Sequence, residues 1–370
     1  MRVSGSRPEF QSGDFGAAFN QGLRNFKERL IEFESKIPQD TIPCRGDEYH
    51  LQVLSAFDES QAFCRDFEIR HDDTDIIVQA QQLFRRETDP WIRQSWIGNR
   101  ARSKPSGFAG DYEMLVKLYD EATPARGLGG YLDLCILDLP LARAVRSRLA
   151  SAREFLLSQI LARGTDVRIL DIASGPCREY LSWPNLAQQQ VEVVALDNDP
   201  IALDYVSRTV VSQLQPPTAL RPVRYNALRT RSAEATIAKF GRFDLIYSVG
   251  LCDYLTDKHL IGLLAGWRET LNENGVMYIA FKDTEQYDKT PYQWHLDWFF
   301  YQRTLDDVLA LYAQAGFDTR AIQTTRDQTG IIINFITRQV SGQISRLDEA
   351  SRTIPAPRQL PSHVDVPGTH

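Results

Sequence analysis

Hydrophobic positions repeat with two different periods along this chain, and the period changes near residue 165. Before that point, apolar side chains recur every three or four residues, which is typical of amphipathic helices. The period predicts helices at residues 15–33, 51–67, 76–86, 111–119 and 131–163. Pro140 interrupts the last of these and predicts a break or a new helix start. Residues 1–164 are therefore predicted to form a helical region.

Beyond residue 165, short apolar runs alternate with helical segments. The runs of strand length lie at residues 168–172, 191–196, 222–225, 243–249 and 276–281. Such alternation predicts crossover connections and a parallel sheet that helices cover on both faces. Two later runs, at 317–324 and 330–337, predict a closing antiparallel pair. The predicted fold class for residues 165–338 is therefore α/β, a Rossmann-like doubly wound sheet.

Composition and charge limit the cellular location and the classes of partner that we expect for this protein. Residues 339–370 are polar and weakly periodic, which predicts a disordered tail. A net charge of −6 disfavours broad binding to nucleic acid. No apolar run approaches the roughly 20 residues that cross a bilayer, and residues 1–10 lack the apolar core of a signal peptide. We therefore expect a cytoplasmic protein without a nucleic-acid partner or stable membrane insertion.

Cysteine and histidine spacing adds no metal or disulfide chemistry. The five cysteines are scattered without a CxxC pair, and the six histidines form no HxH or HxxxH pair. Neither a disulfide framework nor a metal site is expected.

The loop after the first predicted strand carries the main chemical signal. Residues 169–177 read ILDIASGPC, in which an acid ends an apolar run and Gly175 is the only glycine. Ligands of open parallel sheets bind beyond the carboxyl ends of the strands, and a glycine there lets the backbone approach a ligand. Asp197 ends the second strand, where an acid can accept hydrogen bonds from both ribose hydroxyls.

The glycine count selects among nucleotides. A dinucleotide loop has the pattern GxGxxG, because backbone NH groups must crowd a pyrophosphate at a helix start. The residues here are Ser174, Gly175, Pro176, Cys177 and Arg178. A nucleoside ligand without phosphates, such as S-adenosylmethionine, needs fewer glycines in the loop.

The order of these motifs resembles that of the class I S-adenosylmethionine-dependent methyltransferases, over about residues 165–338. The matching segments are 169–176, 196–200, 226–228, 243–250 and 275–282. The resemblance implies contacts to the amino-acid part of the cofactor from Asp171, Ala173, Ser174 and Gly175, to the ribose from Asp197, to the adenine from Asn198, Asn226 and Ala227, and to the floor near the methyl group from Val249 and Gly250. The chain departs from the family pattern in lacking a second loop glycine and in having Asn226 where aspartate is commoner.

Two further stretches carry a narrower resemblance. Residues 104–115 read KPSGFAGDYEML and residues 298–304 read WFFYQRT. Together they resemble a bacterial group of 3-hydroxypalmitic acid methyl ester biosynthesis proteins, although Phe300 and Gln302 replace a leucine and a tyrosine of its pattern. The resemblance implies carboxyl O-methylation of a 3-hydroxy fatty acid or similar acid, with the helical region acting as a lid. A simpler interpretation of the first stretch is that Asp111 caps a helix.

Candidate catalytic residues follow from the acceptor. Methyl transfer from a sulfonium is an in-line displacement, so the enzyme chiefly positions donor and acceptor. A carboxylate acceptor is ionised at neutral pH and should be steered by a cation or paired donors. Arg303 and His295 are candidates for that contact, and Tyr112 is a candidate hydroxyl donor. A hydroxyl acceptor would need a base, for which His295, Asp111 and Glu113 are candidates.

Alternatives of other classes stay open at this point. They are a hydroxyl O-methyltransferase of a secondary metabolite, a non-catalytic S-adenosylmethionine-binding module and a nicotinamide oxidoreductase. A nucleic-acid amino-methyltransferase is disfavoured, because residues 249–254 read VGLCDY where an Asn/Asp-Pro-Pro-aromatic motif would stand. The expected partner is a small-molecule acceptor that includes an acyl chain, and the oligomeric state is left open.

Overall fold

A computed structural model describes residues 15–184, 186 and 189–339. The predicted disordered tail lies outside these residues, apart from Gln339. The N-terminal helices are α1 (Ala17–Lys36), α2 (Glu48–Arg70), α3 (Thr74–Ile92), α4 (Trp96–Ser103), α5 (Tyr112–Tyr119), α6 (Gly127–Asp138) and α7 (Pro140–Arg163). The predicted break at Pro140 is confirmed, since this proline is the first residue of α7, where its missing N–H and fixed φ suit a helix start.

Helix α4 is the element that the hydrophobic pattern does not predict. It has only 8 residues, which is too short to display a helical period. Local capping fixes it instead, because the Ser95 hydroxyl accepts a hydrogen bond from the Gly98 N–H at 2.8 Å.

The remaining elements form a seven-stranded sheet in the order β3-β2-β1-β4-β5-β7-β6, in which β7 runs antiparallel to its neighbours. The strands are β1 (Val167–Ile172), β2 (Val191–Asp197), β3 (Thr218–Arg224), β4 (Phe243–Ser248), β5 (Leu271–Lys282), β6 (Gln323–Arg326) and β7 (Ile332–Arg338). The connecting helices are α8 (Pro200–Tyr205), α9 (Ala233–Phe240), α10 (Asp257–Thr270) and α11 (Leu305–Gln314). The predicted α/β doubly wound sheet with an N-terminal helical region is confirmed.

The strand boundaries differ from the predicted ones at the sheet edges. Strand β6 covers only Gln323–Arg326 and is exposed along its length, so no apolar alternation marks where it begins. Its position follows from backbone pairing with β7. The predicted strand at 317–324 is therefore wrong over most of its length, and residues 319–321 form a helical turn instead.

The segment between β5 and α11, residues 283–304, joins the sheet to the helical region. The Trp294 ring packs against the rings of Phe19, Phe67 and Phe84, and its indole N–H donates to Glu68 Oε1 at 2.7 Å. One hydrophobic core therefore includes residues of this segment and of α1 to α7. Within the described part of the chain, no helix is long and apolar enough to cross a bilayer.

Candidate functional site

A cavity of about 600 Å³ lies at the carboxyl ends of β1, β2 and β4. The loops after the strands form one wall, and residues from 104–115 and 297–299 face them. The cavity is lined by many of the residues predicted to bind the cofactor: Ala173, Gly175, Asp197, Asn198, Asn226, Ala227 and Gly250. The predicted Asp171, Ser174 and Val249 lie outside this lining.

The loop after β1 is held tightly against the end of β2. Ala173 and Gly175 have positive φ angles of 56° and 55°, a conformation that glycine adopts without cost and other residues adopt under strain. The Gly175 N–H donates to Asp197 Oδ2 at 2.8 Å, and the Ser174 N–H donates to the Leu196 carbonyl at 3.0 Å. The loop backbone therefore turns toward the cavity while its hydrogen bonds fix it to the neighbouring strand.

Asp197 is the acidic side chain at the centre of this wall. Its Oδ1 accepts from the Asp199 N–H at 2.9 Å, and the Asn198 backbone also stabilises the carboxylate. A carboxylate offers about four lone-pair sites, so Asp197 keeps acceptor capacity at the border of the cavity. Burial is the largest cause that raises the pKa of Asp197 above its ordinary value, so further donors would be favourable there.

A pair of buried acids lies beneath the loop. The Tyr247 hydroxyl donates to Glu179 Oε1 at 2.5 Å, and the Cys177 thiol contacts Asp171 Oδ2 at 3.7 Å. Burial raises the pKa of both carboxyls, and repulsion by Glu179 raises the pKa of Asp171 further. Asp171 thus lies buried under the loop instead of lining the cavity. Glu179 packs close to Asp171, and no sequence motif indicates this contact.

Residues 104–115 contribute the opposite wall. Lys104, Phe108 and Tyr112 line the cavity. Asp111 itself is fully buried, where it caps α5 through the Met114 N–H at 2.9 Å and binds the guanidinium of Arg100 at 2.8 Å. The structure therefore gives Asp111 a capping and pairing role and leaves Tyr112 at the cavity.

The structure places His295 away from the cavity, which corrects its predicted role. The ring is fully buried among Phe57, Phe84 and Phe26, and its Nε2 lies 2.8 Å from the Ser60 hydroxyl. Burial lowers the pKa of His295 to about 3. A base needs a reachable nitrogen and a pKa near the working pH, and His295 has neither.

Arg303 is likewise outside the cavity lining. Its guanidinium donates to Asp257 Oδ1 at 2.8 Å and to the carbonyls of Leu255 and Cys252 at 2.6 and 3.3 Å. These bonds fix the loop after β4, which carries the cavity residue Tyr254. Arg303 therefore holds the loop that carries Tyr254, and the predicted direct contact between Arg303 and an acceptor is wrong.

A smaller cavity of about 50 Å³ adjoins the first one. Most of its walls are apolar, but two cationic side chains, Arg148 and Lys282, also line it. Sequence reasoning missed Arg148, because it stands in an ordinary helical pattern within α7 and only the packing of α7 against Gly250 brings it to the site.

The sheet order is that of the class I methyltransferase fold. The sequence matches no protein-family model and no curated protein sequence. Among solved structures, a possible exported protein from Bordetella parapertussis is similar, with a TM-score of 0.53 and 16% identity over 90% of this chain and 100% of that chain.

Two named methyltransferases also align with the chain. The CurJ carbon methyltransferase has a TM-score of 0.44 and 12% identity over 88% of this chain and 91% of its own. Magnesium protoporphyrin IX methyltransferase from Synechocystis with bound SAH has a TM-score of 0.40 and 10% identity over 54% and 87%.

Proposed function

We propose that the protein is an S-adenosylmethionine-dependent methyltransferase that acts on a small molecule. The observation that carries this proposal is the position of Asp197, which ends β2, borders the large cavity and holds the one-glycine loop after β1. A carboxylate at this position suits two ribose hydroxyls. The loop supplies too little glycine to surround a pyrophosphate.

The charge on this side of the cavity favours a cationic ligand over a dinucleotide. Asp197 and Asp199 line the wall. Their carboxylates repel a pyrophosphate and attract an ammonium or a sulfonium. S-adenosylmethionine carries both cations. The ammonium end would lie at residues 173–175.

The other predicted contacts fit the same orientation. Asn198, Asn226 and Ala227 line the cavity beyond Asp197 and would flank the adenine. Gly250 would lie at the reacting end. When bound, S-adenosylmethionine supplies an electrophilic methyl: an acceptor lone pair forms the new bond as the methyl–sulfur bond breaks, its electrons return to sulfur, and S-adenosylhomocysteine leaves.

The proposed acceptor is the carboxylate of a 3-hydroxy fatty acid or a similar acid. Support comes from the resemblance of residues 104–115 and 298–304, and from apolar side chains such as Val78, Phe108 and Phe299 on the cavity wall. A carboxylate is ionised at neutral pH and needs no base. The protein then only has to orient the acceptor and exclude water. The cytoplasmic location and the absence of a nucleic-acid partner stay predictions.

Transfer of an isotope-labelled methyl group tests this function. The purified protein is incubated with methyl-labelled S-adenosylmethionine and a panel of 3-hydroxy acids, and the products are analysed by mass spectrometry. We expect labelled methyl esters, which mild alkali hydrolyses. The rate of methyl transfer should be nearly constant from about pH 6 to 8, because the acceptor is already ionised there.

Other results distinguish the alternatives. An alkali-stable product, or a rate that rises with the pKa of a base, would indicate a hydroxyl acceptor and reject the acid. Cofactor binding without any product on acid and alcohol panels would support a binding module.

A further inference from the structure

The small cavity is an inner extension of the large one. The two share a neck that is formed by Gly110, Leu115, Gly250, Tyr254 and Trp298. A ligand group that enters the inner cavity must therefore pass Gly250, at the end where the cofactor's methyl group is proposed to lie.

The two cations of the inner cavity differ in their partners. The Lys282 ammonium is ion-paired with buried Asp253 and lies 4.1 Å from the centre of the Phe300 ring. Arg148 is only 4% exposed. Its charge acts on the Tyr119 hydroxyl and on Glu179, yet no carboxylate of the described chain lies within ion-pair distance of it, and its Nε has no hydrogen-bond partner there. A buried charge without a counter-ion in direct contact is costly, so Arg148 requires an explanation.

The Arg148 guanidinium faces the neck. A Cβ atom added to Gly250 would lie 3.6 Å from its Nη2 and 3.9 Å from its Nη1. The space that the missing side chain leaves is therefore directly in front of two guanidinium nitrogens. These are the donors that bind a carboxylate in a bidentate pair.

The size of the inner cavity suits a head group better than a chain. At about 10–15 Å³ for each water-sized atom, a cavity of about 50 Å³ holds a carboxyl group with one or two further carbons. A longer apolar chain would have to extend along the large cavity.

On the basis of the proposed function, we propose that Arg148 binds the carboxylate head of the acceptor at this neck. Its two guanidinium nitrogens hold the carboxylate beside Gly250, and they make the site selective for acids over neutral analogues. The acceptor supplies a carboxylate in direct contact with the guanidinium, which the described chain does not place there.

A rival role for Arg148 is to balance the acid pair beneath the loop. Its charge lowers the pKa of Glu179, but so does that of Arg153 on the same helix. Arg153 donates to the backbone carbonyls of Glu179 and Ser182 at 3.0 and 2.6 Å, and it borders neither cavity. Arg153 is therefore the matched control, because it shares the effect on Glu179 and lacks the contact with the neck.

Calorimetric titration of the full chain loaded with S-adenosylhomocysteine tests the proposal. The probes are 3-hydroxydecanoate and its uncharged analogue decane-1,3-diol. We expect the wild type to bind the acid at least about tenfold tighter than the diol. Arg148→Gln should lose at least about tenfold in acid affinity and keep its affinity for the diol, whereas Arg153→Gln should keep both.

Two milder substitutions support the test if Arg148→Gln does not fold. Arg148→Lys should give an intermediate acid affinity, since lysine keeps the charge and loses the planar fork. Gly250→Ala would add a methyl group in ordinary contact with the guanidinium. It should weaken acid binding by obstructing the approach to Arg148.

Several results would overturn the assignment. They are acid affinity that is unchanged in Arg148→Gln, equal losses in Arg148→Gln and Arg153→Gln, and a wild type that binds neither probe or does not prefer the acid. Retained binding of S-adenosylhomocysteine in a preceding titration separates these results from a failure of the proposed function. A wild type that does not bind S-adenosylhomocysteine rejects both.

Discussion

His295 shows at the scale of one residue why a sequence-based catalytic candidate can belong to the core. The Ser60 hydroxyl donates its only proton to the Phe57 carbonyl at 2.6 Å, so at 2.8 Å its oxygen must accept from the His295 Nε2–H. That bond fixes the tautomer with the proton on Nε2. A histidine before an aromatic run gives no sequence signal that separates this arrangement from a catalytic one.

The substitution His295→Gln tests this role, because glutamine keeps a donor for Ser60 and removes the titration. Burial lowers the pKa of His295 from an ordinary value of 6.5 to about 3, so the unfolded chain binds more protons between these values. The free energy of unfolding should therefore fall as the pH falls from 6.5 toward 3, by up to about 1.4 kcal/mol per pH unit. The variant should lack this contribution.

Urea denaturation of the wild type and of His295→Gln between pH 4 and 8 measures the difference in their free energies of unfolding. The contributions of the other titrating groups largely cancel in this difference. Methyl transfer at neutral pH should be unchanged in His295→Gln. A large loss of activity with intact cofactor binding would contradict the structural role and return His295 to catalysis.

At the scale of elements, residues 104–115 depend on one close contact with the segment after β5. A Cβ atom at Gly110 would lie 2.7 Å from Trp298 Cζ2 and 3.0 Å from the Tyr254 hydroxyl oxygen. The Trp298 indole N–H donates to that same oxygen at 2.7 Å. The glycine therefore lets residues 104–115 and residues 298–304 meet at the neck of the site.

We expect Gly110→Ala to displace Trp298 and to lower the free energy of unfolding by roughly 1–3 kcal/mol, the usual cost of overpacking. The matched control is Gly262→Ala in α10, where an added Cβ meets nothing within 4 Å and alanine should be neutral or stabilising. Chemical denaturation monitored by tryptophan fluorescence measures both. Equal stability of the two variants would show that the contact at Gly110 is not tight.

Elements with a strong period or a buried strand pattern could be predicted from the sequence. Helices α1 and α2 have regular apolar faces, and strands β1 and β2 are buried on both sides. Short or exposed elements such as α4 and β6 could not, because capping and pairing rather than hydrophobic period decide them.

At the scale of the whole molecule, the cavity wall at the carboxyl ends of the strands could be predicted from the sequence and the inner cavity could not. Asp197 and Gly175 belong to one crossover unit, and their spacing along the chain reflects their contact in space. Arg148 belongs to α7 and meets the loop after β4 only when the helical region packs on the sheet. It stands in no local motif, so only the folded chain shows its position at the inner cavity.

Calorimetry with S-adenosylhomocysteine measures whether the large cavity binds S-adenosylmethionine through Asp197. We expect the wild type to bind S-adenosylhomocysteine and not NAD. Asp197→Ala should lose about 1.5–3 kcal/mol of binding free energy, typical of hydrogen bonds to a charged group. The control Asp204→Ala, an exposed acid of α8, should bind as the wild type does. Unchanged affinity in Asp197→Ala would remove Asp197 from the binding site, and a preference for NAD would show that the cavity takes a dinucleotide instead.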